Sequence, residues 1–248
     1  MASNVRRGLI PYKTTGFGEY VDEIYSLKGF FGEWAHMYRR HNLAHPLRWS
    51  DDRLMYSGLD PATLAAPDAS DPRGEPLALL QGPGIRVALS QRSVAMPFAE
   101  KNVDRHQIRF YHRGGFLVET ELGRLEAEPG DFVVIPRGLI YRETPRADEG
   151  NAVFVFETDA TVQLAETLWD SVGYASLMVD YSEMVLPQPS PAPAAVDGRA
   201  AAEHEVRVRY DDEWHSMVYD FDPCGDVVGW VGDPVIFKMN VWNVPTSA

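Results

Sequence analysis

The sequence predicts an all-β protein, an antiparallel sandwich or barrel with an irregular N-terminal leader and few short helices. Between Leu77 and Glu157, short runs of branched and aromatic residues recur about every 8 to 12 residues between Gly and Pro turns, the cadence of such folds. Within that span some runs alternate in polarity, as a half-buried strand does, while Phe132 to Ile135 is apolar throughout, as a strand covered on both faces should be. The chain has 248 residues, 45% hydrophobic and 24% charged, enough to bury a substantial core without disulfides.

Residues 1–76 are read as an irregular leader and loop wrapping the core. They mix turn signals (Thr14-Thr15-Gly16, Gly58-Leu59-Asp60-Pro61) with one short amphipathic stretch around Tyr20 to Leu27. Residues 61–76 are dense in Pro, Ala, Asp and Gly and are expected to be a surface loop. Residues 77–186 form the β-domain, with strands in LALLQ, IRVALSQ, QIRFYH, FLVETELG, RLEAE, FVVIP, IYRET and AVFVFET. Turns are expected at Glu121-Leu122-Gly123-Arg124 and at Glu128-Pro129-Gly130-Asp131. Residues 187–203, rich in Pro and Ala, read as an extended linker. Residues 204–248 read as connecting strands: Glu205 to Tyr210, His215 to Phe221, Val227 to Val231 and Val235 to Val241.

Charge narrows the partners. With 36 acidic against 23 basic residues and a formal net charge of −13, the chain is repelled by phosphate backbones and anionic lipid, so nucleic acid and membrane are not expected. No apolar run approaches the length of a membrane span, and the single cysteine, Cys224, excludes an internal disulfide framework; both fit a cytoplasmic protein. Cys224 sits beside Asp222 and Asp226, acids that should raise its pKa and oppose a nucleophilic role.

The most informative segment runs from Gly130-Asp131 through Phe132-Val133-Val134-Ile135 to Pro136-Arg137-Gly138 and on to Tyr141. Gly-Asp, a four-residue apolar strand and Pro-x-Gly resemble the second half of the cupin signature, after which the next strand brings a His to the barrel centre. Here that position is Tyr141, a candidate pocket hydroxyl for substrate binding. The first half of a cupin metal site needs His-x-His and a Glu, whose alternation along one strand lets them share an ion. The corresponding stretch, Glu100 to Gln107, has no His-x-His, and Gln107 falls where the Glu is expected.

From Phe98 to Arg142 the chain resembles the N-terminal domain of bacterial homogentisate 1,2-dioxygenases, through Asn102-Val103-Asp104, His112-Arg113-Gly114, Glu119 to Leu125 and Pro129 to Gly138. Gly8 to Lys13, Glu23 to Phe31, Met37 to His41 and Val227 to Asn240 are similar to other parts of that family in the same order. The resemblance implies a cupin-like fold and an Fe(II)-dependent enzyme that opens a small aromatic ring with O2. In that family the iron ligands, a 2-His-1-carboxylate set, lie in a second cupin domain after the region corresponding to Val227 to Asn240. No residue of this chain matches them, so no catalytic residue is assigned, and the chain is expected to supply scaffold and one pocket wall.

Two other readings of the residues are set beside this one. The chain can act as a metal-free degenerate cupin that binds a small ligand or another subunit. It can also be a self-contained metalloprotein using His106 and His112, six apart and so on one face of a strand, with Glu119 or Tyr141. The spacing of His36, His41 and His45 invites a metal reading, which is not expected because 36 and 45 would fall on opposed sides of a helix, and His204 and His215 are expected to be ordinary surface histidines. Trp34, Trp49, Trp169, Trp214, Trp230 and Trp242 are candidates for an interface. Apolar edges around Val227 to Val241 predict a homo-oligomer or association with a second cupin domain.

Overall fold

The computed structural model describes residues 7–8, 20–28, 31–55, 58–60, 63–146, 150–162, 181–189 and 202–243. They divide between two compact units: Met1–Leu59 with Thr167–Ser176, and Asp60–Glu166 with Leu177–Ala248. The expected linker of 187–203 and Trp169 lie largely or wholly outside the described residues.

In the first unit the amphipathic stretch forms a strand, β1 (Val21–Lys28), paired antiparallel with β2 (Phe31–Arg39). Across the two strands His36 Nε2 is hydrogen-bonded to Asp22 at 3.1 Å and Arg39 is ion-paired with Glu23. The leader is therefore less irregular than its composition implies, because β-branched and aromatic residues such as Val21, Ile24, Tyr25 and Trp34 favour an extended ribbon.

The second unit is the expected cupin-like sandwich. Its strands are β3 (Leu77–Gly82), β4 (Ile85–Ser90), β5 (Ala99–Asn102), β6 (His106–Arg113), β7 (Phe116–Thr120), β8 (Gly123–Ala127), β9 (Asp131–Ile135), β10 (Ile140–Pro145), β11 (Ala152–Thr158), β12 (His204–Tyr210), β13 (Glu213–Tyr219) and β14 (Phe237–Asn240). One six-stranded sheet has the order β14-β9-β6-β11-β4-β3 and the other β13-β12-β5-β10-β7-β8. All pairings are antiparallel except that of β12 with β5. The helical segments among the described residues are short 3-10 turns, such as Pro67–Ala69 and Tyr181–Glu183.

The motif turns do what their residues require. Gly130 and Gly138 adopt φ of 92° and 85°, a left-handed conformation that glycine enters without Cβ strain. Asp131 is buried, accepts from the Glu128 amide at 2.8 Å, and takes Lys238 Nζ at 2.8 Å and Asn240 Nδ2 at 2.9 Å, fastening β14 onto β9. One expectation, the strand over Val227 to Val231, is corrected, and two features are added. Ala99–Asn102 is a strand although its sequence, Ala-Glu-Lys-Asn, has little β preference; it is held by β10 on one side and β12 on the other. Val227 to Val231 is not a strand, and Val228 and Val231 are exposed. The loop of 61–76 is anchored inward: Asp68 is buried and accepts from Ser90 Oγ at 2.6 Å and the Gln91 amide at 2.9 Å.

One part of the interior is apolar, built by Ala88, Phe116, Val118, Leu125, Val133, Ile135, Val153 and Val155, against which Tyr111 and Tyr141 pack. Towards β5 and β12 it changes character.

Candidate functional site: a closed charge network in the sandwich interior

Strand alternation decides which side chains enter the interior. On β6, Gln107, Arg109 and Tyr111 are buried, while His106, Ile108, Phe110 and His112 occupy the opposite phase. On β10 the inward pair is Tyr141 and Glu143, and Glu100, Arg86, Glu157 and Arg209 enter from β5, β4, β11 and β12.

These groups form one hydrogen-bonded cluster. Arg109 donates to Glu143 through Nε at 2.8 Å and Nη2 at 2.6 Å, the bidentate fork that suits guanidinium and carboxylate, and Tyr111 donates its hydroxyl to the same carboxylate. Arg109 Nη1 also reaches the Tyr141 hydroxyl at 3.2 Å, which donates to Glu100 at 3.0 Å. Gln107 Nε2 bridges Glu100 at 3.2 Å and Glu157 at 3.0 Å. Glu157 takes further bonds from Asn102 Nδ2 at 3.1 Å and Arg86 Nη1 at 2.9 Å, and Arg209 Nη1 stands 3.9 Å away.

Burial raises the Glu100 carboxyl above its usual range, with Arg109 opposing and Glu157 reinforcing the rise. Burial likewise drives the Tyr111 and Tyr141 hydroxyls well above the ordinary phenol value. For Arg109 burial is the largest influence and acts downwards, but Glu143 together with Tyr141, Tyr111 and Glu100 outweighs it and keeps the guanidinium protonated. The remaining void is about 20 Å³, room for a water and not for an aromatic ring. A larger cleft of about 180 Å³ lies elsewhere, lined by Met96 to Ala99, Arg142, Thr144, His204 and Asp222.

Tyr141 thus stands in the interior, committed to Arg109 and Glu100. The structure does not bring His106, His112 and Glu119 together. The two histidines share a face but are separated by about 20 Å of strand, at ~3.3 Å per residue. That face is turned away from the interior: His106 accepts weakly from the Arg137 amide at 3.4 Å, and His112 is exposed beside Phe110 and Phe154. Glu119 lies on β7 in the other sheet, in the phase opposite to the inward Val118 and Thr120. It pairs there with Arg142 at 2.8 Å and Arg124 at 3.1 Å.

His36, His41, His45, His204 and His215 also lie outside the buried core, and all seven histidines of the chain are among the described residues. Trp34 and Trp242 are exposed, whereas Trp214 is half-buried and donates to Glu75 at 2.7 Å, with Arg207 stacked 4.8 Å from its ring. Cys224 is buried, and that burial more than the neighbouring acids pushes its thiol up to about 12.

Sequence reasoning passes over Arg86, Arg109, Glu143 and Glu157, which make most of the site. The available signal is phase: each charged residue stands in a strand at the same parity as its inward apolar neighbours, Arg109 with Tyr111 and Glu143 with Tyr141.

The homogentisate 1,2-dioxygenase N-terminal family matches residues 84–241, more than half of the chain. The chain belongs to that family. A protein of Saccharolobus solfataricus named "Putative dioxygenase" is 24% identical over 132 residues, which are 48% of this chain and 34% of that protein. The chain therefore spans about a third of that relative's length. Among solved structures, KdgF from Halomonas sp. shares 17% identity over 34% of this chain and 76% of its own, with a TM-score of 0.30. A cupin-2 domain protein from Shewanella frigidimarina shares 14% over 34% and 79%, with a TM-score of 0.28.

The iron that the family implies does not fit the interior of this domain. No histidine enters it, each of the three carboxyl groups is already bonded to a guanidinium, phenol or amide, and the guanidinium of Arg109 would repel a cation. Among the described residues no three His, Cys, Asp or Glu side chains gather as a metal site.

Proposed function

We propose that this chain is the non-catalytic β-domain of an Fe(II)- and O2-dependent ring-cleaving dioxygenase of the homogentisate type. It supplies scaffold and one wall of a pocket for a small aromatic substrate, while the iron belongs to a second cupin domain. The observation that carries this reading is the filling of the interior by the Arg109–Glu143 fork and its tyrosines, which takes the place a metal and substrate need. A domain of this kind earns its place by rigidity and by contact with other domains or subunits, so the reading includes a cytoplasmic oligomer.

The test is made on the purified 248-residue chain, loaded anaerobically with Fe(II), desalted and analysed for metal, then assayed for O2 uptake with homogentisate. The expected result is well under one iron per chain and no uptake alone. Addition of the iron-bearing cupin domain of a full-length family member should then yield a complex and ring cleavage. Stoichiometric iron with turnover by the chain alone would overturn the assignment. A stable complex without turnover would instead favour a metal-free subunit-interaction module, the reading that shares the same filled interior.

A further inference from the structure

The charge network leaves two of its buried polar atoms without a partner. Gln107 Oε1 and Arg209 Nε make no hydrogen bond among the described residues, although Gln107 is 2% exposed and Arg209 is 8% exposed. An unsatisfied buried donor or acceptor costs about 1–3 kcal/mol, so each calls for a partner. The amide of Gln107 cannot solve this by turning over. Its nitrogen faces Glu100 Oε1 at 3.2 Å and Glu157 Oε1 at 3.0 Å, and exchanging N for O would set the amide oxygen against two carboxylate oxygens.

Both residues line the same void, whose volume of about 20 Å³ is that of one water site. The chemistry of its walls is mixed, with Arg86, Arg92, Arg207 and Arg209 facing Glu75, Glu100 and Glu157. An anion would meet the carboxylates and a cation the guanidiniums. A neutral molecule that both accepts and donates suits the two orphan atoms, since one is an N–H and the other a carbonyl oxygen.

We infer that a single ordered water is bound in this void, accepting from Arg209 Nε and donating to Gln107 Oε1. It is a structural site that ties β12 to β6 across the interior. Arg209 already stands between Glu157 at 3.9 Å and Asp212 at 3.3 Å, so the water completes the attachment of the β12–β13 hairpin to the network.

A crystal structure of the wild-type chain at about 1.5 Å tests this directly. The expected result is one full-occupancy water within about 2.7–3.2 Å of both atoms. An empty void, or two waters each serving one atom, would overturn the bridging site. The Gln107→Met variant, similar in length and without the acceptor, should lose that water. Oxygen-17 relaxation dispersion in solution should then count one long-lived internal water fewer than in the wild type. An unchanged count in a folded variant would also overturn the site, and the wild-type crystal answers the question if the variant does not fold.

Discussion

Two parts of one interior lie between the same pair of sheets and are held by different physics. Around Phe116, Val118, Leu125, Val133 and Val153 the sheets meet through fully buried hydrocarbon, where each group contributes in proportion to the area it removes from water. Around Arg109, Glu143 and Glu157 they meet through ions, each expensive to bury and tolerated because a neighbour neutralises and hydrogen-bonds it, with Glu100 joined through Tyr141 and Gln107. In the apolar part each truncation loses its own contribution independently of its neighbours, whereas the ionic part is sound only when complete. An interior so committed has little freedom to take a metal ion or an aromatic ring, even though its residue types look catalytic.

The largest effect should come from breaking one ion pair. Glu143→Leu leaves Arg109 buried with its fork unfilled and should destabilise the fold by about 3–5 kcal/mol. Arg109→Met should do comparable harm by stranding Glu143. The double variant should be more stable than either single one, because no uncompensated charge remains. Urea unfolding of the three proteins measures this, and additive losses would show that the two parts do not differ as described. In the apolar part, Leu125→Ala should cost about 2–5 kcal/mol through lost transfer energy and a cavity. No second truncation nearby should restore what it loses.

The apolar part was the more legible of the two in the sequence. Alternation and turn chemistry located the strands of 77–158, and Gly130-Asp131 with Pro136-Arg137-Gly138 marked the turns that shape β9 and β10. The same motif directs Tyr141 towards the barrel centre, and the side chain is buried there against Arg109 and Glu100. Arg109 and Glu143 escaped notice because they are 34 residues apart and meet only across the two sheets, so neither betrays its partner locally. His106, His112 and Glu119 misled for a related reason. Period two puts the histidines on one face correctly, but it does not say that the face points away from the interior or that Glu119 belongs to the opposite sheet. Strand β5 was invisible because pairing with β10 and β12 overrides the weak preference of Ala-Glu-Lys-Asn.

A smaller effect should separate the two parts by pH. Burial places the folded-state pKa of Glu100 above that of the unfolded chain, so the folded protein holds this proton more tightly. Its favourable contribution is therefore fully present in acid and lost as pH rises from the ordinary carboxylate range through the raised value. Glu100→Gln, which keeps the shape but cannot ionise, should flatten that part of the stability profile, whereas Leu125→Ala should shift the whole profile without changing its form. Urea midpoints collected from pH 4 to 8 make the comparison, and parallel curves for wild type and Glu100→Gln would show that Glu100 does not ionise differently on folding.

The smallest effect lies at the rim of the network, where Arg105 donates to Asp212 at 2.5 Å and 3.0 Å and Arg209 reaches it at 3.3 Å. The bond from Arg105 lowers the Asp212 carboxyl to about 2, so its contribution is present above the ordinary carboxylate range and fades as pH falls towards that value. Half of this side chain is open to solvent, and screening should hold the effect of Asp212→Asn to below about 1 kcal/mol at neutral pH, diminishing with added salt. A loss as large as that of Glu143→Leu would move the boundary between interior and surface outward to include Asp212. The expected small, salt-sensitive loss, measured by urea unfolding at low and high ionic strength, places that boundary between Asp212 and the buried Arg209, where the network stops being a closed set of mutually dependent charges and becomes ordinary surface pairing.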